Sequence, residues 1–174
     1  MLWFKFLSKL IKILHSGEDP RQVAAGFALG AIIGLTPILT LHNLAIFILI
    51  LLLNVSISAA FFGILVFSAF AYLLDTQFHV LGSYILTQIP ALQPFWTQLY
   101  NMPIAPLTRF YNTVVMGSFV SALIALIPIY FATKHFILLY RTHLAQRVNN
   151  LKIVQIIKGS NLVQFYQKIK SMGA

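Results

Sequence analysis

Residues 17–43 read GEDPRQVAAGFALGAIIGLTPILTLHN, and the fold turns on how this stretch is taken. It opens as a helix. Asp19 is placed to act as N-cap, Pro20 brings the fixed φ suited to a first helical position, and Gln22 completes an Asp-x-x-Gln capping box. Gly26, Gly30 and Gly34 then recur every fourth residue, so a helix carries them as one groove without side chains, narrowed at its flanks by Ala25 and Ala28. In water such a helix is poor, because each glycine costs about 1 kcal/mol relative to alanine. In a bilayer the same groove admits a second helix or a lipid chain to the backbone, which is the physics of small-xxx-small packing. Thr36 and Pro37 interrupt the helix, and Thr40, His42 and Asn43 come before the next apolar run. The expected unit is a Gly/Pro helical hairpin over residues 20–53 whose bend carries polar groups at membrane depth.

Composition agrees. Of 174 residues 59% are hydrophobic and 9% charged, with a mean hydropathy of +0.86, whereas a soluble domain carries roughly 25% charged residues. An all-α integral membrane protein of one domain is expected. There is no cysteine, which excludes disulfides, thiol nucleophiles and thiolate metal sites.

Outward from the hairpin, residues 1–15 place Lys5, Lys9 and Lys12 on one helical face with Trp3 as an anchor, the pattern of an interfacial helix; three lysines interrupt any signal-peptide core, so the segment is expected to be retained. The hairpin runs 23–35 and 38–53 would be about 20 and 24 Å long as helices. Both fall short of a hydrocarbon core of roughly 30 Å, so the hairpin is either re-entrant or two short spans. Residues 55–74 and 110–133 are each long enough to cross, and Asn54 with Ser56 and Ser58 makes a polar notch before the first of them. Asp75 is expected to end that span. Between the spans, residues 75–109 carry Pro90, Pro94, Pro103, Pro106 and a belt of aromatics, read as a lid with a short surface helix over 80–89 and turns at IPALQP and NMPIAP. Gly117, Ser118, Ser121 and Ala125 offer the last span a small-residue face for the glycine groove. Residues 134–174 contain seven basic residues and no acid at helical spacing, a pair of amphipathic basic helices in which Arg141, Arg147 and Lys152 are candidate headgroup ligands for anionic phospholipid. Nucleic acid is a poor partner for such helices beside a membrane span.

Charge orients the chain. Lys5, Lys9, Lys12 and Arg21 precede the first apolar run and seven basic residues follow the last, against Arg109 alone between them. Both termini are therefore expected in the cytoplasm and the lid in the periplasm.

Chemistry is sparse. Glu18, Asp19 and Asp75 are the whole acidic inventory, and no carboxylate pair, phosphate loop or nucleophile triad can be assembled from them, so no enzymatic activity, metal or cofactor is expected. Asp75 and His79, one turn apart, can pair, bind a cation, relay protons or share an interfacial hydrogen bond. His42 and Asn43 either face a cavity or satisfy carbonyls freed by Pro37.

GEDPRQVAAGFALGAIIGLTP resembles the signature of a bacterial inner-membrane family of unknown function, in which a Gly-x-x-Pro-x-x-(Val/Ile)-Ala-x-Gly-(Phe/Val)-Ala-x-Gly segment leads through a glycine to a proline-containing bend. TPILTLHN, LLN and LLDTQFHVLG resemble a subgroup of it. Many relatives carry a Gly-x-Gln-like element after the bend, where this chain has Leu39, Thr40, Leu41 and His42. The resemblance implies a Gram-negative inner membrane, small helical subunits and, in the subgroup, a periplasm-spanning partner resembling the AsmA-like lipid-transfer proteins.

Three functional classes follow. The first is an inner-membrane subunit handling phospholipid, feeding or anchoring an envelope-spanning lipid-transfer partner. Its rival is a structural anchor or assembly platform whose glycines only pack helices. The third, a small ion or solute carrier, would have to work as a homo- or hetero-oligomer, since no internal repeat is visible.

Overall fold

The computed structural model describes Ile13 and residues 17–144, and among these the regular structure is helical throughout. Five α-helices follow in order: α1 (Pro20–Leu35), α2 (Leu41–Leu52), α3 (Ile57–Thr87), α4 (Gln93–Tyr100) and α5 (Thr113–Leu139). Two 3₁₀ turns, Pro90–Leu92 and Ala105–Thr108, flank α4, and a π turn, Tyr140–Leu144, continues α5. The chain divides into two compact units, Glu18–Lys134 and a second formed by Met1–Gly17 with His135–Ala174. The described part of the second is the end of α5 and the π turn, together with Ile13 and Gly17.

Helix α1 begins as expected. Asp19 caps it, its Oδ1 accepting from Arg21 N–H at 2.7 Å while its carbonyl takes Val23 N–H at 3.1 Å. Most of its residues are buried, including all three glycines, which makes the helix richest in small residues the innermost one. Helix α2 is the reverse. Of its twelve residues only Asn43 and Ile50 are buried, and Leu44, Phe47, Ile48, Leu49, Leu51 and Leu52 are exposed.

The glycines seat α3. A β-carbon at Gly26 would land on the Ser56 carbonyl oxygen, one at Gly30 on that of Ala60, and one at Gly34 would lie 2.7 Å from that of Ile64. Each partner stands thirty positions later (26 and 56, 30 and 60, 34 and 64), so α1 and α3 run parallel in register. Gly63 returns the contact by lying against the Phe27 carbonyl. Absent side chains let backbone touch backbone, giving close dispersion contact and Cα–H···O approach. Ser56 N–H also donates to the Gln22 carbonyl at 3.1 Å, so the chain that rises through α1 and descends through α2 is back beside α1's first turn before α3 starts.

Three expectations are corrected here. Asp75 does not end α3, which continues to Thr87 and takes in residues 80–87 of the separate surface helix expected over 80–89. Hydropathy falls at Asp75, but Thr76, Gln77 and Phe78 are all compatible with helix and nothing breaks the backbone ladder. The small-residue face of α5 does not meet the glycine groove, which α3 already fills. Gly117 instead crosses Gly82 of α3, where β-carbons would strike the Phe78 and Thr113 carbonyls. Finally, α5 runs past Lys134 to Leu139, beyond the boundary expected at 133. Its start is fixed by Asn112, whose Oδ1 accepts from Val114 and Val115 N–H at 2.9 and 3.2 Å.

Among the described residues two helices, α3 and α5, are long and apolar enough to cross a membrane. Of their most apolar stretches only 22% and 28% are buried, where the core helix of a soluble protein would be mostly covered.

Candidate functional site

The bend between α1 and α2 gathers the polar residues that the hairpin carries. Thr36 Oγ1 lies 2.8 Å from the Ile32 carbonyl and 2.7 Å from Asn43 Oδ1, its single hydroxyl proton facing both acceptors. Asn43 Nδ2 donates to the Pro37 carbonyl at 2.9 Å, and Thr40 Oγ1 donates to the same carbonyl at 3.2 Å. Pro37 stands beyond the last turn of α1, so its own carbonyl has no helical partner, and the side chains of Thr40 and Asn43 satisfy it. Thr36, Thr40 and Asn43 are all buried. His42 is half-buried, with Nε2 3.0 Å from Thr40 Oγ1 and its ring 4.6 Å from that of Phe119 on α5. Asn43 thus bonds the Pro37 carbonyl and at the same time lines the cleft described next.

Beside this polar knot opens a cleft of about 550 Å³. Ile33 of α1 and Leu44 and Phe47 of α2 form its walls, Thr40 and Asn43 its polar patch. Ile38 and Leu39 stand at the rim, 70% and 79% exposed. Leu107, from the 3₁₀ turn Ala105–Thr108, closes the circle from the other side, and that turn packs against α2. Arg109, which ends the turn, holds a left-handed φ of 57°. Of these lining residues the sequence marked Thr40 and Asn43 as polar groups of the bend, and named Leu39 and Leu41 only as standing in place of a family element. Leucines after a proline carry no signal that separates a cleft from a lipid-facing surface.

The remaining candidates lie elsewhere. Gly26, Gly30 and Gly34 form no open groove, because the backbone of α3 fills it; of the two uses foreseen for them, helix packing is the one they serve. Asn54 is exposed at the return between α2 and α3, where the hydrogen-bonding work falls to Ser56, which caps α3 by accepting Ala59 N–H at 3.3 Å. His79 does not turn to Asp75. Its Nδ1 lies 2.7 Å from Thr113 Oγ1, joining α3 to the start of α5 beside the Gly82–Gly117 crossing. Arg141 lies on the π turn, whereas Arg147, Lys152 and nearly all of the expected interfacial helix over 1–15 fall outside the described residues. Among the described residues no three His, Asp or Glu side chains cluster as metal ligands would.

The region between α3 and α5 is more ordered than a run of turns. Helix α4 is tied to the end of α3 by Gln93 Nε2 on the Leu86 carbonyl at 2.7 Å and by Trp96 Nε1 on the Ile85 carbonyl at 3.3 Å. Its aromatic residues stack onward, Trp96 to Phe110 at 6.0 Å and Tyr100 to Tyr111 at 5.6 Å. Residues 93–100 were missed as a helix because two prolines within five residues read as turns, although Pro94 sits in the first helical turn, where a missing N–H costs nothing.

Comparison with known proteins follows the same stretch of chain. A protein of Treponema pallidum (strain Nichols), described as "Uncharacterized protein", is 25% identical over 156 residues, which cover 90% of this chain and 96% of its own. No solved structure matches. Residues 5–146 match the model of a family described as "Uncharacterized protein conserved in bacteria", a span that contains α1 to α5 and the whole bend. The chain therefore belongs to this conserved bacterial family, DUF2062.

Proposed function

We propose that this protein is a multi-pass subunit of the bacterial inner membrane that handles phospholipid, with α1, the bend and α2 forming a re-entrant hairpin. The single observation that carries the reading is the cleft at the bend, open toward the exposed apolar face of α2 and lined without a charged residue.

Depth supports it. From Ile57 to Asp75 is eighteen residues, about 27 Å of helix, close to the roughly 30 Å of a hydrocarbon core. Gly34 lies beside Ile64, seven residues or about 10 Å beyond Ile57, so the bend just above it falls near the middle of that core. The return of the chain to Gln22 supports a hairpin with both ends on one side, and the basic flanks favour the cytoplasm for that side. A hairpin ending near the midplane leaves the opposite leaflet without a helix above it. The lid between α3 and α5, on the periplasmic side, descends to this place through Leu107 and offers the face on which an envelope-spanning lipid-transfer partner would dock.

A second reading has one observation in its favour. The glycine groove is filled by protein, as a structural anchor requires. The filling helix is the chain's own α3, however, so the groove builds the hairpin and is not left for a partner to occupy.

The test is the phospholipid composition of the two envelope membranes in cells lacking the protein. Altered distribution, restored by the wild-type chain, supports lipid handling; an unchanged distribution with loss of a partner from the membrane leaves the anchor.

A further inference from the structure

The geometry points to the cleft at the bend as an acyl-chain site, in which one hydrocarbon tail of a membrane lipid lies between Leu39 and Leu107 with its headgroup left outside. This rests on the membrane reading above and names the part of the lipid that is held.

The lining decides between tail and headgroup. A phosphate or a charged headgroup needs a cation or several free donors, and no Lys, Arg, His, Asp or Glu lines the cleft. The side-chain donors present are already engaged: Thr40 Oγ1 and Asn43 Nδ2 both reach the Pro37 carbonyl. What remains is apolar wall, with a volume inside the roughly 300–1,000 Å³ of small-molecule sites.

Access decides between a lipid and a water-borne ligand. Leu44 and Phe47 belong both to the cleft and to the exposed face of α2, so a chain lying along α2 enters without crossing a polar surface. Leu39 and Leu107, 79% and 62% exposed, stand as two apolar lips that no described residue covers. Leu107 is carried by a turn whose ends are set by Pro106 and by the left-handed Arg109, so this lip has a defined position.

The experiment uses the full chain in nanodiscs of phosphatidylethanolamine and phosphatidylglycerol containing a phosphatidylcholine with a diazirine in one acyl chain, with adducts mapped by peptide mass spectrometry. Adducts at Leu39 and Leu107 are expected to exceed those at Ile124 and Ile127, exposed on α5, several-fold. Leu39→Trp, made at an exposed position so that folding is spared, is expected to lower the bend adducts several-fold while those at Ile124 stay unchanged; Leu107→Ala is expected to lower them as well. Equal adducts at bend and α5, or bend adducts indifferent to both substitutions, overturn the site. Labelling of Ile38→Cys in cells by an aqueous maleimide separates the two failures. Protection without bend-specific adducts removes the acyl site alone, and ready labelling removes the membrane-embedded bend with it.

Discussion

The carbonyl oxygen of Ala60 occupies the place where a β-carbon of Gly30 would be. No side-chain rearrangement relieves such an encounter, because both sides of it are backbone. Gly30→Ala is expected to cost at least the ~1–3 kcal/mol of ordinary overpacking, and Gly30→Leu to prevent α1 and α3 from docking. Ile124→Ala, at an exposed position on α5, should stay near wild type. Denaturant titration of the purified chain in one detergent measures all three, and a Gly30→Leu variant as stable as Ile124→Ala would mean the close crossing does not exist.

Asn43, itself buried, joins Thr36 to Pro37 at the bend. Replacing it with leucine leaves the Pro37 carbonyl with only the longer Thr40 bond and Thr36 with only Ile32, a loss of about 1–3 kcal/mol if the groups left behind find no other partner. Backbone amide hydrogen–deuterium exchange of residues 36–44, measured on the purified chain in one detergent, should accelerate accordingly, with exchange elsewhere unchanged. Unaltered protection would show that the bend holds without its amide.

The hydrogen bond from Ser56 N–H to the Gln22 carbonyl makes a topological claim testable in a chain that has no cysteine of its own. Single cysteines at Gly17 and Asn54 are expected to react from the cytoplasm and one at Gln98 from the periplasm, all three being exposed. Reaction of Gly17→Cys and Asn54→Cys from opposite sides would end the hairpin.

Seven basic residues and no acid occur in residues 134–174. Replacement of Arg141, Arg147 and Lys152 by glutamine should weaken co-purification of anionic phospholipid in a salt-dependent manner, each charge near an anionic surface contributing about 1 kcal/mol. Lipid mass spectrometry at two ionic strengths reads this, and identical retention in the triple variant would remove these residues as headgroup ligands.

How much of this could be read from the chain depends on what each residue reports. Asp19 and Pro20 mark a helix start by local chemistry, and the start is where they put it. The spacing of Gly26, Gly30 and Gly34 announced a close approach, but a groove is silent about its occupant, and the four small residues of α5 were as plausible a match as α3. Asp75 misled because a charge reports the end of an apolar environment and says nothing about the backbone, which stays helical for twelve more residues. The polar half of the bend was legible because Thr36, Asn43 and their neighbours are rare among so many apolar residues. Its apolar half was not: Leu39 and Leu107 lie 68 positions apart and meet only through the descent of the lid.

The constant offset of thirty makes the contact between α1 and α3 a vernier. Slide α3 by four residues, and Gly26 meets Ala60, Gly30 meets Ile64 and Gly34 meets Ser68, with backbone again opposite every gap in the row. The repeat alone would tolerate either setting. Two features outside the row abolish that freedom. Ser56 holds the Gln22 carbonyl through an N–H that, at the shifted setting, would be Ala60's, already committed to Ser56. Gly63 seats the Phe27 carbonyl, and four residues further on the same seat would have to be made by Phe67. A row of identical notches thus has a single stop.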